Sequence, residues 1–166
     1  MKYLIYADGA CPRNGRRGAR AQGSFAAYRL KDNEAYSNAL HERLAGMLPM
    51  HHESRFDIVP AVYDGHPGQV TNNMAEAQSL CTAIVWACSN GLFDCDNEIH
   101  ICMDSKLILS QFLGVYKTKE PHLMAVYRRI YDILGQQSKK LGCDAEKLVH
   151  LHWISGEVMK RSVIAH

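Results

Sequence analysis

The stretch KYLIYADGACPRNGRRG, residues 2–18, joins an alternating apolar segment to a glycine- and arginine-rich one. Strand alternation in residues 2–8 places Leu4, Tyr6 and Asp8 on one face and Tyr3, Ile5 and Ala7 on the other, which predicts a β-strand with Asp8 at its end. The glycine-rich part predicts a turn, and residues 24–30 predict the second strand of a hairpin. A carboxylate that ends a buried strand is costly unless something compensates it, and a divalent cation is the commonest compensation.

Two further acids stand in similarly distinctive surroundings. Glu76 lies in TNNMAE, at the start of a segment whose apolar residues recur at helical spacing until Asn90-Gly91 supplies a stop. Asp104 follows the alternating residues 98–103, which predict another strand. Two acids at strand ends and one in the first turn of a helix can converge at one edge of a mixed sheet, where α/β proteins place their ligands.

Each acid also has a simple structural explanation. Asn73 and Glu76 have the spacing of a helix capping box. Asp8 precedes a glycine and can belong to a turn. Asp104 can be the N-cap of a short helix predicted from Ser105 to Leu113. Only the three acids together point to a specific chemistry.

The remaining segments complete an α/β pattern. Residues 38–48 have helical spacing, and residues 51–68 suggest a loop that runs into a short third strand. Residues 122–141 predict a long amphipathic helix, and residues 148–154 predict the last strand. We therefore expect residues 1–166 to form a single domain, with a mixed β-sheet of about five strands flanked by α-helices.

Composition limits the functional class. The apolar fraction is 47% and the charged fraction 22%, typical of a globular protein, and no apolar run approaches the roughly 18 residues of a membrane span. The first residues reach charge and glycine too early for a signal peptide, so we expect a cytoplasmic protein, and a monomer. Residues 1–30, 31–105 and 106–166 carry net charges of +5, −8 and +5. Basic ends around an acidic middle suit a polyanion held near a carboxylate cluster, although ordinary solvated faces explain the charges equally well.

Carboxylate oxygens are the ligands that select Mg²⁺ or Mn²⁺. A pair of such ions can hold the attacking and leaving oxygens of an in-line phosphoryl displacement. We therefore expect a metal-dependent enzyme that uses Mg²⁺ or Mn²⁺, with two ions present when substrate is bound.

The three acidic segments, in this order, resemble the type 1 ribonuclease H family over nearly the whole chain. YADGACPRNGRRG resembles its first strand and glycine loop, TNNMAEAQSL its first helix start, and IHICMDSKLIL its fourth strand. The resemblance implies that Asp8, Glu76 and Asp104 are metal ligands. It also implies an endonuclease, a hydrolase that cuts the RNA strand of RNA/DNA hybrids by a two-metal-ion mechanism and leaves a 5′-phosphate.

The same resemblance implies a set of substrate contacts. The residues expected to approach the RNA strand are Gly9, Cys11, Asn14, Asn72, Gln78 and Ser105, and Thr71 or Asn73 would hold the sugar-phosphate backbone. Short polar side chains and exposed backbone suit recognition of the 2′-hydroxyl. Lys117 and Lys119 are expected to contact phosphates of the other strand, or else to be ordinary surface lysines.

The C-terminal segment departs from the family pattern. Trp153 matches the end of the final strand, but Glu157 stands where the family's mobile loop carries a catalytic histidine. His166 or Val163 aligns with the fourth metal-binding aspartate, and we predict His166 as that ligand, with an inconsequential chain end as the alternative. Two other functions remain open: a hybrid-binding module with weakened catalysis, and another nuclease on the same fold.

Overall fold

The computed structural model describes residues 1–12 and 20–164, and its centre is a five-stranded sheet. The strands are β1 (Lys2–Ala10), β2 (Gln22–Leu30), β3 (His51–Asp57), β4 (Val62–Tyr63), β5 (His66–Pro67), β6 (Glu98–Met103) and β7 (His150–Trp153). The helices are α1 (Ala39–Leu44), α2 (Asn72–Ser89), α3 (Lys106–Phe112), α4 (Pro121–Leu141), α5 (Ala145–Leu148) and α6 (Gly156–Arg161). The main sheet has the order β3-β2-β1-β6-β7, and β4 pairs with β5 separately.

The pairing is mixed, as predicted. β1 is antiparallel to β2 and parallel to β6, and β6 is parallel to β7. Parallel neighbours end at the same edge of a sheet, so β1 and β6 bring Asp8 and Asp104 to one edge. The predicted mixed sheet flanked by helices is confirmed.

The two faces of the sheet bury separate cores. Tyr3, Ile5 and Ala7 of β1 belong to the larger core, which lies under α2, α3 and α4. Leu4 and Tyr6 point to the opposite face and belong to a smaller core with residues of α1 and α6. Because side chains alternate along a strand, Asp8 lies on this second face.

The N-terminal half of α2 is fixed against β1 by one glycine. A Cβ atom on Gly9 would lie 2.3 Å from the backbone carbonyl carbon of Ala75, which no packing rearrangement of side chains can relieve. Only glycine therefore permits this approach of strand and helix. The approach places Glu76, the next residue of α2, beside β1.

The ends of the two long helices follow their sequence signals. Asn90 is the C-cap of α2, and Gly91 has a positive φ of 69°. Glu120 caps α4 at its N-terminus, and Gly142 ends it with φ 72°. The amphipathic pattern of α4 buries one stripe and exposes Arg128, as predicted. Within the described ranges no helix is long and apolar enough to cross a membrane.

Several boundaries differ from the predictions. β1 continues to Ala10, because its last residues still pair with β2. The third strand is residues 51–57, paired with β2, and the predicted later strand is only the small β4-β5 hairpin. β7 is shorter than predicted because α5 precedes it. The loop expected after β7 is helix α6, which Ser155 caps by accepting a hydrogen bond from the Val158 amide.

Candidate active site

Three carboxylates meet at the edge of the sheet. Asp8 comes from β1, Glu76 from the second turn of α2, and Asp104 from the residue after β6. Each offers an oxygen atom within 4.8 Å of those of the other two. The structure thus brings together the three acids that the sequence predicts as metal ligands.

None of the three acids has the simpler structural role that its local sequence allows. The N-cap of α2 is Thr71, whose hydroxyl accepts a hydrogen bond from the Met74 amide, so the capping box with Glu76 is wrong. The N-cap of α3 is Ser105, not Asp104. Asp8 lies within β1 rather than in a turn. Their convergence is therefore unexplained by helix or turn formation.

The cluster is electrostatically unfavourable without a cation. Oε2 of Glu76 is buried, and no residue in the described part of the chain gives it a hydrogen bond. Burial, followed by the charges of Asp8 and Asp104, raises the pKa of Glu76 to about 10. Burial and the charge of Asp104 raise the pKa of Asp8 to about 6. A hard divalent cation supplies the compensation that these oxygens lack, so the residues fit Mg²⁺ or Mn²⁺.

Trp153 holds the backbone beside Asp104. Its indole N–H donates a hydrogen bond of 3.1 Å to the Asp104 carbonyl oxygen. The ammonium group of Lys106 lies 4.2 Å from the centre of the same indole ring, within cation–π range. The sequence identifies Trp153 only as the end of a strand, because its pairing partner is far away in the chain.

A groove of about 840 Å³ begins one turn before Glu76. It brings together five residues predicted to bind substrate: Thr71, Asn72, Asn73, Lys117 and Lys119. It is also lined by residues that sequence reasoning missed: Pro67, Gln69, Met74, Gln111, Glu120, His122 and Leu123. These come from loops and helix ends without a motif, so only the tertiary fold reveals them.

Two predicted substrate contacts are placed elsewhere. Cys11 is 2% exposed, its amide donates to Oδ1 of Asn72 at 2.7 Å, and its thiol donates to the carbonyl of Val70. The Cys11 side chain is therefore buried and fastens the residue after β1 to the segment before α2, while the expected approach of Cys11 to the RNA strand stays a prediction. Gln78 donates to the Val59 carbonyl, and it projects about 200° around α2 from Glu76. It does not share the carboxylate site.

The other predicted residues are distributed as follows. Gly9 adjoins Asp8, and Ser105 adjoins Asp104. Glu157 is exposed in the first turn of α6. Asn14 and His166 lie outside the described residues.

No protein-family model and no curated protein matches the sequence. Solved structures do match it. Ribonuclease H1 of the halophilic archaeon Halobacterium salinarum is 20% identical with a TM-score of 0.63, and the match covers 98% of this chain and 92% of that one. The chain has the ribonuclease H fold. Ribonuclease H1 LC11, solved in complex with an RNA/DNA hybrid, is 24% identical with a TM-score of 0.64, covering 96% and 90%. The N-terminal ribonuclease H domain of Mycobacterium tuberculosis Rv2228c is 21% identical with a TM-score of 0.61, covering 95% and 84%.

Proposed function

We propose that this protein is a metal-dependent endonuclease that hydrolyses the RNA strand of RNA/DNA hybrids. The observation that carries the proposal is the meeting of Asp8, Glu76 and Asp104, one turn of α2 from residues that line a groove with amide and ammonium groups. The ribonuclease H fold adds support, because LC11, a protein of this fold, was solved in complex with such a hybrid.

The carboxylate cluster argues for catalysis rather than binding alone. Three acids with oxygens within 4.8 Å repel one another and repel phosphate, so a protein that only bound nucleic acid would gain nothing from them. Divalent cations held by the three acids would supply Lewis-acid stabilisation of the phosphoryl group and an activated water. Glu76, whose pKa is raised by burial and by the charges of Asp8 and Asp104, would release its proton as cations bind.

The groove would hold the duplex. Lys117 and Lys119 offer ammonium groups to phosphates of the strand that is not cut. Asn72 and Asn73 are exposed at the start of α2, one turn before Glu76, where they would meet the sugar edge of the RNA strand. The 2′-hydroxyl both donates and accepts hydrogen bonds, so an amide side chain can recognise it.

Ser105, Gly9 and Asn14 complete the proposed RNA contacts, and Glu157 and His166 are proposed to complete the catalytic residues. If His166 is a metal ligand, its imidazole is softer than a carboxylate and suits Mn²⁺ better than Mg²⁺. His166→Ala should then lower cleavage more with Mn²⁺ than with Mg²⁺, and His166→Asp should shift the preference towards Mg²⁺.

The proposal is tested with end-labelled RNA/DNA hybrid, RNA duplex and DNA duplex of one sequence, each with Mg²⁺, Mn²⁺ or chelator. Wild-type protein should cut only the RNA strand of the hybrid and should leave both duplexes intact, and chelator should abolish the cut. Asp104→Asn should be inactive. Asp132→Asn, which neutralises an exposed carboxylate of α4, is the matched control and should retain full activity.

Other outcomes identify other functions. Tight binding of hybrid without cleavage by the wild-type protein would favour a hybrid-binding module. Equal cleavage of RNA or DNA duplexes would favour a different nuclease on the same fold. Full activity of Asp104→Asn would remove the carboxylate cluster from the mechanism.

A further inference from the structure

A second, smaller cavity of about 170 Å³ opens beside Asp8 on the side away from α2. Its lining comes from β1, β2, β3 and Ile164, and includes Asp8, Ser24 and Arg55. Asp8 and Ser24 are direct partners across β1 and β2, and the Arg55 amide donates a 2.9 Å hydrogen bond to the Ser24 hydroxyl. Arg55 contributes the cationic side chain of this lining.

A β-bulge puts Arg55 on this face. The partners of β2 and β3 are regular from Ala27↔His51 to Phe25↔Glu53, and then the register shifts so that Gly23 faces Phe56. Strict alternation from His51 and Glu53 would place residue 55 on the α2 face, opposite to Asp8. The extra residue reverses the alternation, so Phe56 takes the α2 face and Arg55 lines the cavity of Asp8. Bulges commonly redirect a side chain in this way next to active sites.

The bulge holds Arg55 in a conformation that arginine disfavours. Its φ is 53°, in the left-handed region where glycine or asparagine is the usual residue. Strained backbone conformations cluster at functional sites, so the strain at Arg55 indicates a functional role for its side chain.

We propose that Arg55 binds a phosphate of the RNA strand next to the scissile bond. The inference rests on the proposed function, because it requires a nucleic-acid backbone at Asp8. Guanidinium forms paired, charge-assisted hydrogen bonds with phosphate oxygens and cannot be deprotonated, so it offsets the negative charge that the carboxylates present to an approaching phosphate. It approaches from the β3 side, whereas Lys117 and Lys119 line the groove on the α2 side.

The test measures binding of an RNA/DNA hybrid in the Asp104→Asn background, which prevents cutting, at several salt concentrations. Arg55→Gln and Arg55→Gly should each weaken binding about tenfold. Both should reduce the slope of log affinity against log salt by about one, the loss of one phosphate contact. Arg55→Lys should keep the slope. Arg29→Ala, which removes an exposed arginine of β2 outside the cavity, is the matched control and should change neither quantity.

Thermal unfolding separates a substrate contact from a structural role. Glycine accepts φ 53° without strain, so Arg55→Gly should melt at the same temperature as its parent or higher, while binding hybrid more weakly. A lower melting temperature for both variants with unchanged hybrid binding would overturn the inference, and so would an unchanged salt slope. If the parent protein fails to bind hybrid, the proposed function itself fails; if the parent binds and cuts but the Arg55 variants match it, only this inference fails.

Discussion

Replacement of Glu76 by glutamine should stabilise the protein when no metal is present. In the folded chain the carboxylate is buried beside Asp8 and Asp104, which raises its pKa to about 10 from an ordinary value of 4.5. At pH 7 the unfolded chain has released this proton and the folded chain has kept it. Keeping Glu76 protonated above its unfolded-state pKa costs about 1.4 kcal/mol per pH unit. Between pH 4.5 and pH 7 this lowers the free energy of unfolding by about 3 kcal/mol, a penalty that glutamine removes.

The sign of the pH dependence follows from the same shift. Between pH 4.5 and pH 10 the folded state binds more protons at Glu76 than the unfolded state does, so this group's contribution to stability falls as pH rises. The advantage of Glu76→Gln should therefore be close to zero near pH 4.5 and should grow towards neutral pH. Divalent cation should reverse the order, because it binds the carboxylate of the wild type and stabilises that fold by mass action.

The assay is urea unfolding in chelator at pH 5 and pH 7, repeated with Mg²⁺ at pH 7. Asp132→Asn is the control, because it neutralises an exposed acid and should stay within about 0.5 kcal/mol of wild type under every condition. A Glu76→Gln protein that is no more stable than wild type in chelator at pH 7 would refute the claim that the cluster is mutually repulsive and buried.

Three further predictions concern other parts of the molecule. Burial and neighbouring histidines lower the pKa of His152 to about 4, so the contribution of His152 to stability should be lost as pH falls from 6.5 towards 4. The free energy of unfolding in urea should therefore differ less between pH 7 and pH 5 in His152→Gln than in wild type, by roughly 1 kcal/mol once the partial exposure of the ring is allowed for. Gly9→Ala should destabilise the fold by about 3 kcal/mol in thermal or urea unfolding and should also lower cleavage, because its methyl group would meet the backbone of Ala75. Lys117→Ala with Lys119→Ala should weaken binding to hybrid and flatten its salt dependence in a filter-binding titration. The control, Lys139→Ala with Lys140→Ala in the last turn of α4, should change neither.

Local signals in the sequence are enough for much of this fold. The stop at Asn90-Gly91 and the amphipathic stripe of α4 depend on neighbours a few residues away, and both helices end where the sequence predicts. The three acids are also predictable as a group, because each lies near the end of a strand or the start of a helix, and parallel strands share an edge.

Features that depend on pairing across the sheet are not predictable in the same way. The bulge at Arg55 arises from the register of β3 on β2, which no local pattern specifies. Cys11 lies in a loop-like sequence yet is buried, because its amide donates to Asn72 at the start of α2 and its thiol to Val70 just before it. Glu157 is in a helix because Ser155 caps it, a signal that the likeness to a loop obscured.

The most direct test of hydrolysis by a metal-loaded carboxylate site is the chemistry of the product ends. Hybrid is incubated with wild-type protein and Mg²⁺ or Mn²⁺ in water enriched in ¹⁸O, and the RNA fragments are weighed by mass spectrometry. Attack by water on the phosphorus predicts fragments with a 3′-hydroxyl and a 5′-phosphate that carries one ¹⁸O atom. Fragments ending in a 2′,3′-cyclic phosphate would show that the RNA 2′-hydroxyl is the nucleophile, and would contradict the role assigned to Asp8, Glu76 and Asp104.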